Sequence, residues 1–439
     1  AQDLGFINTG ATAGTVTGGT LQIGNASTPA AQIMNINTVS SIGNLNVGSA
    51  NATASLTSNP LNVIGNVTIS SGILNANNLN ITLGGNWTNN GGTHTPGTNT
   101  TVFNSAAAQS IFKTGGETFN NITFSGAGVK TFSSAVISNS NVTINTGASV
   151  DVSSSNHQLT LAGNYSNSGA INTRSGTILF NGTAAQTIGG TSVTNFYDLT
   201  INKTSGGVSL LSSQNLINAL TLSNGVFSTN SQAFTMVSTS SNTARIAQIS
   251  GTGNISGNVI VQRFAPGGST GWALFGTPMS SALTLNDWDD DIAISCLSCP
   301  DGYVAGFPSI YTYDETLAGT YDAATSYIPL STINDPIIPN KGYWVYLGTS
   351  SSTTTPITLD VTGSVRKFNN TIPLNYTNYG SAVDDGWNLI HNPYPSPVRW
   401  SLLKGATANI DNAIYVYNAD LNAGAGAYAT YVNNISSPV

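Results

Sequence analysis

The chain has 439 residues, only 7% of them charged, and its net charge is −7 at neutral pH. This acidic balance argues against nucleic-acid binding, which needs a basic surface. No apolar run reaches the ~18–20 residues that cross a bilayer, so we predict no membrane span. Aromatic and β-branched residues are frequent, which is not the profile of a disordered chain.

In residues 1–255, short runs of apolar residues alternate with Gly- and Asn-rich turns. Triplets such as Val67–Ile69, Val142–Ile144 and Leu159–Leu161 alternate with period two, which puts aliphatic side chains on one face and Thr on the other. Strands this short, at this spacing, predict a parallel β-helix, a solenoid in which each coil stacks only on its neighbours. A β-sandwich built from the same short strands is the alternative.

An internal repeat of 77–78 residues runs through this region. The stretch Leu79–Gly91 returns as Leu159–Gly169, and Gln109 matches Gln186. Repeats of this kind are typical of solenoids. We expect about three coils of roughly 20–27 residues in each repeat unit.

The second half of the chain differs in net charge and in its repeated motifs. The net charge is +2 up to Ala265, from six Lys/Arg and four Asp/Glu, and −9 after it, from five and fourteen. The pair Gly271-Trp272 returns at Gly386-Trp387, which suggests a second duplication. We therefore predict an all-β protein with a β-solenoid at 1–255, a β-sandwich-like module at 256–361 and a related module at 362–439. The last module lacks a counterpart of Lys341–Leu347, so we expect the natural product to continue past its end.

Two cysteines, Cys296 and Cys299, lie three residues apart. Two cysteines alone cannot make a tetrahedral zinc site. We predict a small structural disulfide formed in an oxidising compartment, with free thiols as the alternative.

An acidic run follows the first module's opening strands. Clustered carboxylates are the ligands that Ca²⁺ prefers, although a solvated acidic loop is the simpler interpretation. Otherwise we predict no cofactor. The candidate calcium ligands are Asp287, Asp289, Asp290, Asp291 and Asp301.

The sequence contains few groups of residues of the kind that catalysis needs, and we predict that the protein is not an enzyme. No tight carboxylate pair of the glycosidase kind occurs among the acids before Ala265, which are Asp3, Glu117, Asp151 and Asp198. The histidines are isolated, and we expect surface or turn positions for His94, His157 and His391. Four aromatic side chains could stack on sugars, but their strand motifs favour the core: Trp272, Tyr343, Trp344 and Trp387.

The stretch Gly386–Pro397 reads Gly-Trp-Asn-Leu-Ile-His-Asn-Pro-Tyr-Pro-Ser-Pro. Together with Val261–Phe264 and Gly342–Tyr346, it resembles a domain common in large secreted proteins of the Bacteroidota, over roughly Gly253–Val439. The family usually has Gly where this chain has His391. The resemblance implies an exported, adhesin-like cell-surface protein of the type IX secretion route, and it supplies no catalytic residues.

These observations predict a non-enzymatic structural or adhesive protein at the cell surface or outside the cell. Its partners would be further copies of itself, joined head to tail into an extracellular filament, or other surface proteins and glycans. The alternative is a carbohydrate-binding or polysaccharide-degrading β-helix protein. No ligand-binding residue can be assigned from the sequence.

Overall fold

The computed structural model describes residues 5–10, 18–266, 271–300, 304, 306–317, 325–347, 356–380, 385–405, 409–419, 421–424, 426–432 and 435–436. It is nearly all β, with a parallel β-solenoid of about 12 turns followed by antiparallel sheets, which confirms the predicted fold class. Within the described residues no helix has the length and hydropathy to cross a membrane.

Most strands of the solenoid and of the segment that follows it are short. In chain order they are β1 Gly5–Asn8, β2 Thr20–Ile23, β3 Gln32–Thr38, β4 Asn44–Val47, β5 Ala52–Leu56, β6 Leu61–Val63, β7 Val67–Ile69, β8 Ile73–Asn75, β9 Ile81–Leu83, β10 Trp87–Asn89, β11 Thr93–Thr95, β12 Thr100–Phe103, β13 Gln109–Lys113, β14 Glu117–Phe119, β15 Asn121–Phe124, β16 Val129–Phe132, β17 Val136–Ser138, β18 Val142–Ile144, β19 Ser149–Asp151, β20 Leu159–Leu161, β21 Tyr165–Asn167, β22 Ala170–Asn172, β23 Thr177–Phe180, β24 Gln186–Gly189, β25 Asn195–Leu210, β26 Gln214–Ser228, β27 Phe234–Met236, β28 Arg245–Ile246, β29 Asn254–Ser256 and β30 Val259–Ala265.

The later elements are more widely spaced. The strands are β31 Trp272–Phe275, β32 Leu283–Thr284, β33 Ile310–Tyr313, β34 Tyr327–Pro329, β35 Pro336–Ile337, β36 Tyr343–Tyr346, β37 Ile357–Gly363, β38 Ala413–Asn418, β39 Ala427–Val432 and β40 Ile435–Ser436; the helices are α1 Trp400–Gly405, α2 Leu421–Gly424 and a 3-10 turn at Leu285–Asp287.

The solenoid has three faces of parallel strands. Face 1 is formed by β2, β4, β7, β10, β13, β16, β19 and β22. Face 2 contains β1, β3, β5, β8 and β11, continued by β14, β17, β20 and β23. Face 3 contains β6, β9, β12, β15, β18, β21 and β24, and the long strands β25 and β26 each run across more than one face.

The period-two pattern explains these strands. Val67 and Ile69 are fully buried and Thr68 between them is half-buried, as the alternation predicts. Strands such as Ala52–Leu56, Ile81–Leu83 and Val142–Ile144 repeat this arrangement, so the aliphatic side chains form a continuous interior. Aromatic rings also fill the interior, where Phe103 and Phe124 stack at 5.7 Å.

We had expected about three coils in each repeat unit, but the unit does not contain a whole number of coils. Registers such as Val67 with Trp87 and Trp87 with Ile111 give turns of about 20 to 24 residues. The repeat maps β10 onto β21 and β13 onto β24, which are 11 strands apart. At three strands per turn, 11 strands are three and two-thirds turns, so equivalent residues of the two copies lie on different faces.

The chain divides into two compact units, described here separately. The first is Ala1–Phe234 with Ala247–Ser256, and the second is Thr235–Ile246 with Gly257–Val439. The predicted limits 1–255, 256–361 and 362–439 stay predictions.

The second unit is built from antiparallel pairs. Strand β30 pairs along its whole length with β37, and four strands form a sheet in the order β31-β36-β33-β34. A three-stranded sheet has the order β38-β39-β40. The sequence counterpart of β31 near Trp387 is not a strand: residues 385–399 are irregular apart from one bridge, between Lys341 and Ile390. Three prolines in this segment cannot donate to a strand ladder.

Candidate functional site

Asparagine side chains form ladders on the outside of the solenoid. On face 1, Asn66 Oδ1 accepts the backbone N–H of Asn86, and Asn86 Oδ1 accepts that of Ser110, both at 2.8 Å. On face 3, Asn141 Oδ1 accepts the N–H of Asn164 at 2.8 Å. Each bond joins one turn to the next at the start of a strand. Asn66, Asn86 and Asn141 therefore link successive turns of the solenoid.

A buried carboxylate lies inside the solenoid. Glu117 is fully buried, and its Oε2 accepts hydrogen bonds from Trp87 Nε1 and Asn89 Nδ2, both at 2.8 Å. Its Oε1 accepts the N–H of Thr118 at 3.0 Å and lies 3.5 Å from the Lys113 ammonium. The charge is thus paired and hydrogen-bonded, as a buried carboxylate requires. Because it is closed off from solvent, this carboxylate cannot meet a substrate.

The same polar arrangement returns in the next repeat without charge. Tyr165 replaces Trp87, Asn167 replaces Asn89 and Thr194 replaces Glu117, at offsets of 78, 78 and 77. Asn167 Nδ2 donates to Thr194 Oγ1 at 3.0 Å, and the Tyr165 hydroxyl lies 3.2 Å from the same oxygen. The duplication therefore preserved a side-chain network as well as a strand pattern.

His94 is buried, so the expected surface position was wrong. Its ring lies against Trp87 at 4.7 Å and Phe119 at 5.5 Å, and Nδ1 is 3.1 Å from the carbonyl oxygen of Thr118. Nε2 is buried and has no hydrogen-bond partner. Burial lowers the pKa of His94 to about 4, so the ring is neutral at pH 7.

Two lysines also lie inside the solenoid, and sequence reasoning missed both. Lys130 donates to the carbonyl oxygens of Ser105, Gly126 and Gly128 at 3.0, 2.7 and 2.7 Å. Lys203 reaches the carbonyl oxygens of Gly182 and Ala184 and the side chain of Gln186. Burial lowers the pKa of both ammonium groups. Period-two spacing from buried neighbours, such as Phe132 two residues after Lys130, could have identified the inward positions.

The other solenoid acids have structural partners. Asp151 forms a bidentate pair with the exposed Arg174 at 2.6 and 2.7 Å, which lowers the pKa of the carboxyl group. Asp198 accepts a hydrogen bond from Asn218 at 2.8 Å. Asp3 lies outside the described residues. Neither Asp151 nor Asp198 is paired with a second carboxylate in the way that acid–base hydrolysis requires.

The predicted calcium ligands have separate roles in the second unit. Asp287 Oδ2 accepts the N–H of Thr284 at 2.8 Å and caps the 3-10 turn. Asp291 Oδ2 accepts the N–H of Asp360 at 2.5 Å, and burial raises the pKa of both carboxyl groups. Asp301 lies outside the described residues. Within the part of the chain that is described, no three His, Cys, Asp or Glu side chains converge as a metal site would require.

Cys296 and Cys299 form a disulfide with their Cα atoms 5.1 Å apart. Both residues are buried, at 2% and 9% exposure. The bridge closes a four-residue loop in the second unit.

One face of the sheet β31-β36-β33-β34 is lined by aromatic side chains, which we call the aromatic face. Trp272 and Trp344 stack at 5.8 Å with an interplanar angle of 18°. Strand pairing puts Tyr311 beside Trp344 on the same face. Trp272, Tyr311 and Trp344 are half-buried, whereas Tyr343, which points to the other face, is 1% exposed. The expected core position is thus right for Tyr343, while Trp272 and Trp344 are half-buried and pack against Phe307 and Tyr417, at 5.8 and 4.4 Å.

The second unit also contains a half-open pocket of about 220 Å³. Its walls come from β30, β31 and β37 and are mostly apolar, with Arg263, Asp360 and His391 as charged or polar members. The His391 ring lies directly over Gly276, where a Cβ atom would come within 2.3 Å of His391 Cγ. Only a residue without a side chain permits this position of the ring. We call this cavity the Arg263 pocket.

Comparison with known proteins adds a family and no activity. A family model described as a domain of unknown function, DUF8693, matches residues 172–438, which is more than half of the chain. No curated protein matches the chain, and no solved structure does.

Proposed function

We propose, starting from the fact that this chain belongs to the DUF8693 family, that it is a non-enzymatic structural or adhesive protein exported to the cell surface. The observation that carries the proposal is the continuity of hydrogen bonding between turns. Parallel ladders on three faces, the asparagine bonds outside and the satisfied polar groups inside tie each turn to the next. A rod of this kind resists local unfolding, which suits a spacer or stalk.

Export is supported by the chemistry of the surface and of the cysteines. A disulfide persists in oxidising compartments. The outward solenoid positions carry Thr, Ser and Asn rather than charge. Immunogold labelling of intact cells tests the location, and gold particles confined to the cell interior would contradict it.

Self-association is supported by an open edge. Among the described residues, β1 and β2 each pair with one neighbour, and an edge of this kind can accept a further strand. Ile7 on β1 is 64% exposed. Head-to-tail contact of such ends would give open filaments. Electron micrographs at high protein concentration test this, since uniform monomers would refute the filament.

A second candidate function is carbohydrate binding, favoured by the aromatic face. Partly exposed stacked aromatic rings can pack against the apolar faces of sugar rings. A glycan array tests binding, with Trp344→Ala as the variant and Tyr376→Ala, an exposed tyrosine outside this sheet, as the control. A reducing-sugar assay on the same glycans distinguishes binding from degradation, and clear turnover would overturn the non-enzymatic proposal.

A further inference from the structure

Three side chains of neighbouring turns meet at the buried carboxylate of Glu117. Asn89 and Lys113 are directly paired across strands β10 and β13, and the alternation along each strand points both of them inward. Glu117 Oε2 accepts a hydrogen bond from Asn89 Nδ2 at 2.8 Å, and its Oε1 lies 3.5 Å from Lys113 Nζ. The carboxylate therefore contacts a primary amide on one turn and a primary amine on the next.

The Asn89 amide is held in a way that favours attack at its carbonyl carbon. Its Oδ1 accepts the backbone N–H of Gly91 at 3.2 Å, so a donor already lies where negative charge would develop. Its Nδ2, the nitrogen that would leave, is bonded to the carboxylate. Asn89 and Glu117 have no exposed surface, and Trp87, which also donates to Glu117, packs on Phe119 at 5.1 Å. A site closed to water favours attack by an amine over hydrolysis.

The second copy of the repeat keeps the amide and lacks the other two groups. Asn167 takes the place of the first copy's asparagine, Gly190 that of its lysine and Thr194 that of its carboxylate, at offsets of 78, 77 and 77 residues. There Asn167 Nδ2 donates to Thr194 Oγ1 at 3.0 Å. A hydroxyl is thus enough to hold this asparagine, and the lysine and the carboxylate of the first copy have a role beyond satisfying the amide.

We propose that Lys113 and Asn89 form an intramolecular isopeptide bond, with Glu117 as the acid–base group. The Lys113 ammonium gives a proton to Glu117, and the resulting amine attacks Asn89 Cγ, forming a C–N bond. The bond from Cγ to Nδ2 then breaks as Glu117 returns its proton to Nδ2, and the released ammonia takes up the second proton that Nζ loses. An ammonium and a primary amide thus become a secondary amide and an ammonium ion, the carboxylate is regenerated, and no oxidant or other reactant is needed.

The reaction happens once in each chain and consumes no external substrate, so it agrees with a non-enzymatic protein. Strand pairing supplies the proximity that an amide otherwise lacks towards an amine. The product joins two successive turns of the solenoid covalently. The bond needs neither a partner nor a cell surface, so it stands or falls independently of the proposed function.

The test is mass spectrometry of the folded full chain. Its intact mass is expected to fall short of the sequence mass by one ammonia molecule. Chymotrypsin, which cleaves after Trp and Phe, should release peptides 88–103 and 113–119 joined as one species, and trypsin should not cleave after the acylated Lys113. A succinimide at Asn90-Gly91 loses the same mass but leaves the two peptides separate, so the digest distinguishes the two products.

Variants identify the reacting groups. Lys113→Arg, which keeps the charge without the primary amine, and Glu117→Gln, which lacks the acid–base group, should each have the full sequence mass. Asn90→Ala, at the exposed position next to Asn89, is the matched control and should keep the linked peptides. Circular dichroism in buffer shows that each variant folds, and the wild-type digest decides whether the bond exists whatever the variants do. Wild-type peptides that are not linked, or a link that persists in Glu117→Gln, would overturn the proposal.

Discussion

Protonation of His94 is expected to weaken the solenoid in acid. The ring is 7% exposed, and burial lowers its pKa from 6.5 to about 4. In the unfolded chain the same imidazole takes up a proton near pH 6.5. The unfolded state therefore binds the proton first, and the contribution of His94 is fully present above pH 6.5. It is lost as the pH falls from 6.5 towards 4.

The size of the effect follows from the shift. A difference of 2.5 pKa units (6.5 − 4), at about 1.36 kcal/mol per unit, corresponds to about 3 kcal/mol of unfolding free energy. Replacing His94 by Leu keeps an apolar side chain among the rings of Trp87 and Phe119. It also removes the unpartnered Nε2 and the hydrogen bond to the Thr118 carbonyl, two changes of opposite sign.

The assay is urea unfolding of both proteins at pH 7.5 and pH 4, followed by ¹⁹F NMR of chains labelled with 5-fluorotryptophan. Of the six tryptophans, Trp87 is the one before Trp272, and its resonance, assigned by its absence from Trp87→Phe, reports on the solenoid. We expect the wild type to lose about 3 kcal/mol more than His94→Leu between the two pH values. His157→Leu, at a half-buried position outside the strands, is the control and should behave like the wild type. Equal losses in wild type and His94→Leu would refute the reasoning.

Four further predictions concern stability. Asn86→Ala should lower the unfolding free energy by about 1 kcal/mol by removing the acceptor of the Ser110 N–H, and exposed Asn90→Ala should not, as urea midpoints will show. Glu117→Gln should cost about 1–3 kcal/mol in the same assay, because an amide cannot accept on both sides of the buried site. Asp360→Asn should raise the unfolding midpoint of the second unit at pH 7. Burial raises the pKa of Asp360 in the folded state, so the ionised carboxylate present at pH 7 destabilises the fold, and the neutral amide removes this cost. Reduction of the Cys296–Cys299 bridge should lower the stability of the second unit by about 2 kcal/mol and leave the unfolding transition seen at the Trp87 resonance unchanged.

The strands of the solenoid could be predicted because each depends on its own few residues. Val67–Ile69, Val142–Ile144 and Leu159–Leu161 have the predicted bounds, and their aliphatic side chains point inward. In these triplets the inside–outside alternation is local, so no knowledge of the neighbouring turns is needed.

The interior polar groups could not be predicted in the same way. Glu117 and His94 look like surface residues by type, and their burial depends on partners one turn away. Alignment of the two repeats gave a usable signal, since Glu117 occupies the position of the buried Thr194. The Arg263 pocket had no such signal, because it brings together β30, β31 and β37 with a loop residue more than 100 positions away from β31.

The two-thirds turn by which the repeats are offset has a physical explanation. The duplicated network includes bonds between residues about one turn apart, such as those of Asn86 with Ser110 and Asn167 with Thr194. Such a bond needs a side chain at the start of a strand and a backbone or side-chain partner on the neighbouring turn. All three faces of the solenoid offer both. A duplicated segment can therefore settle on another face without losing its contacts, provided that it contains whole strands. The 11-strand unit meets this condition although it does not contain whole turns, so the element that is conserved between the copies is the strand with its bonds to the next turn.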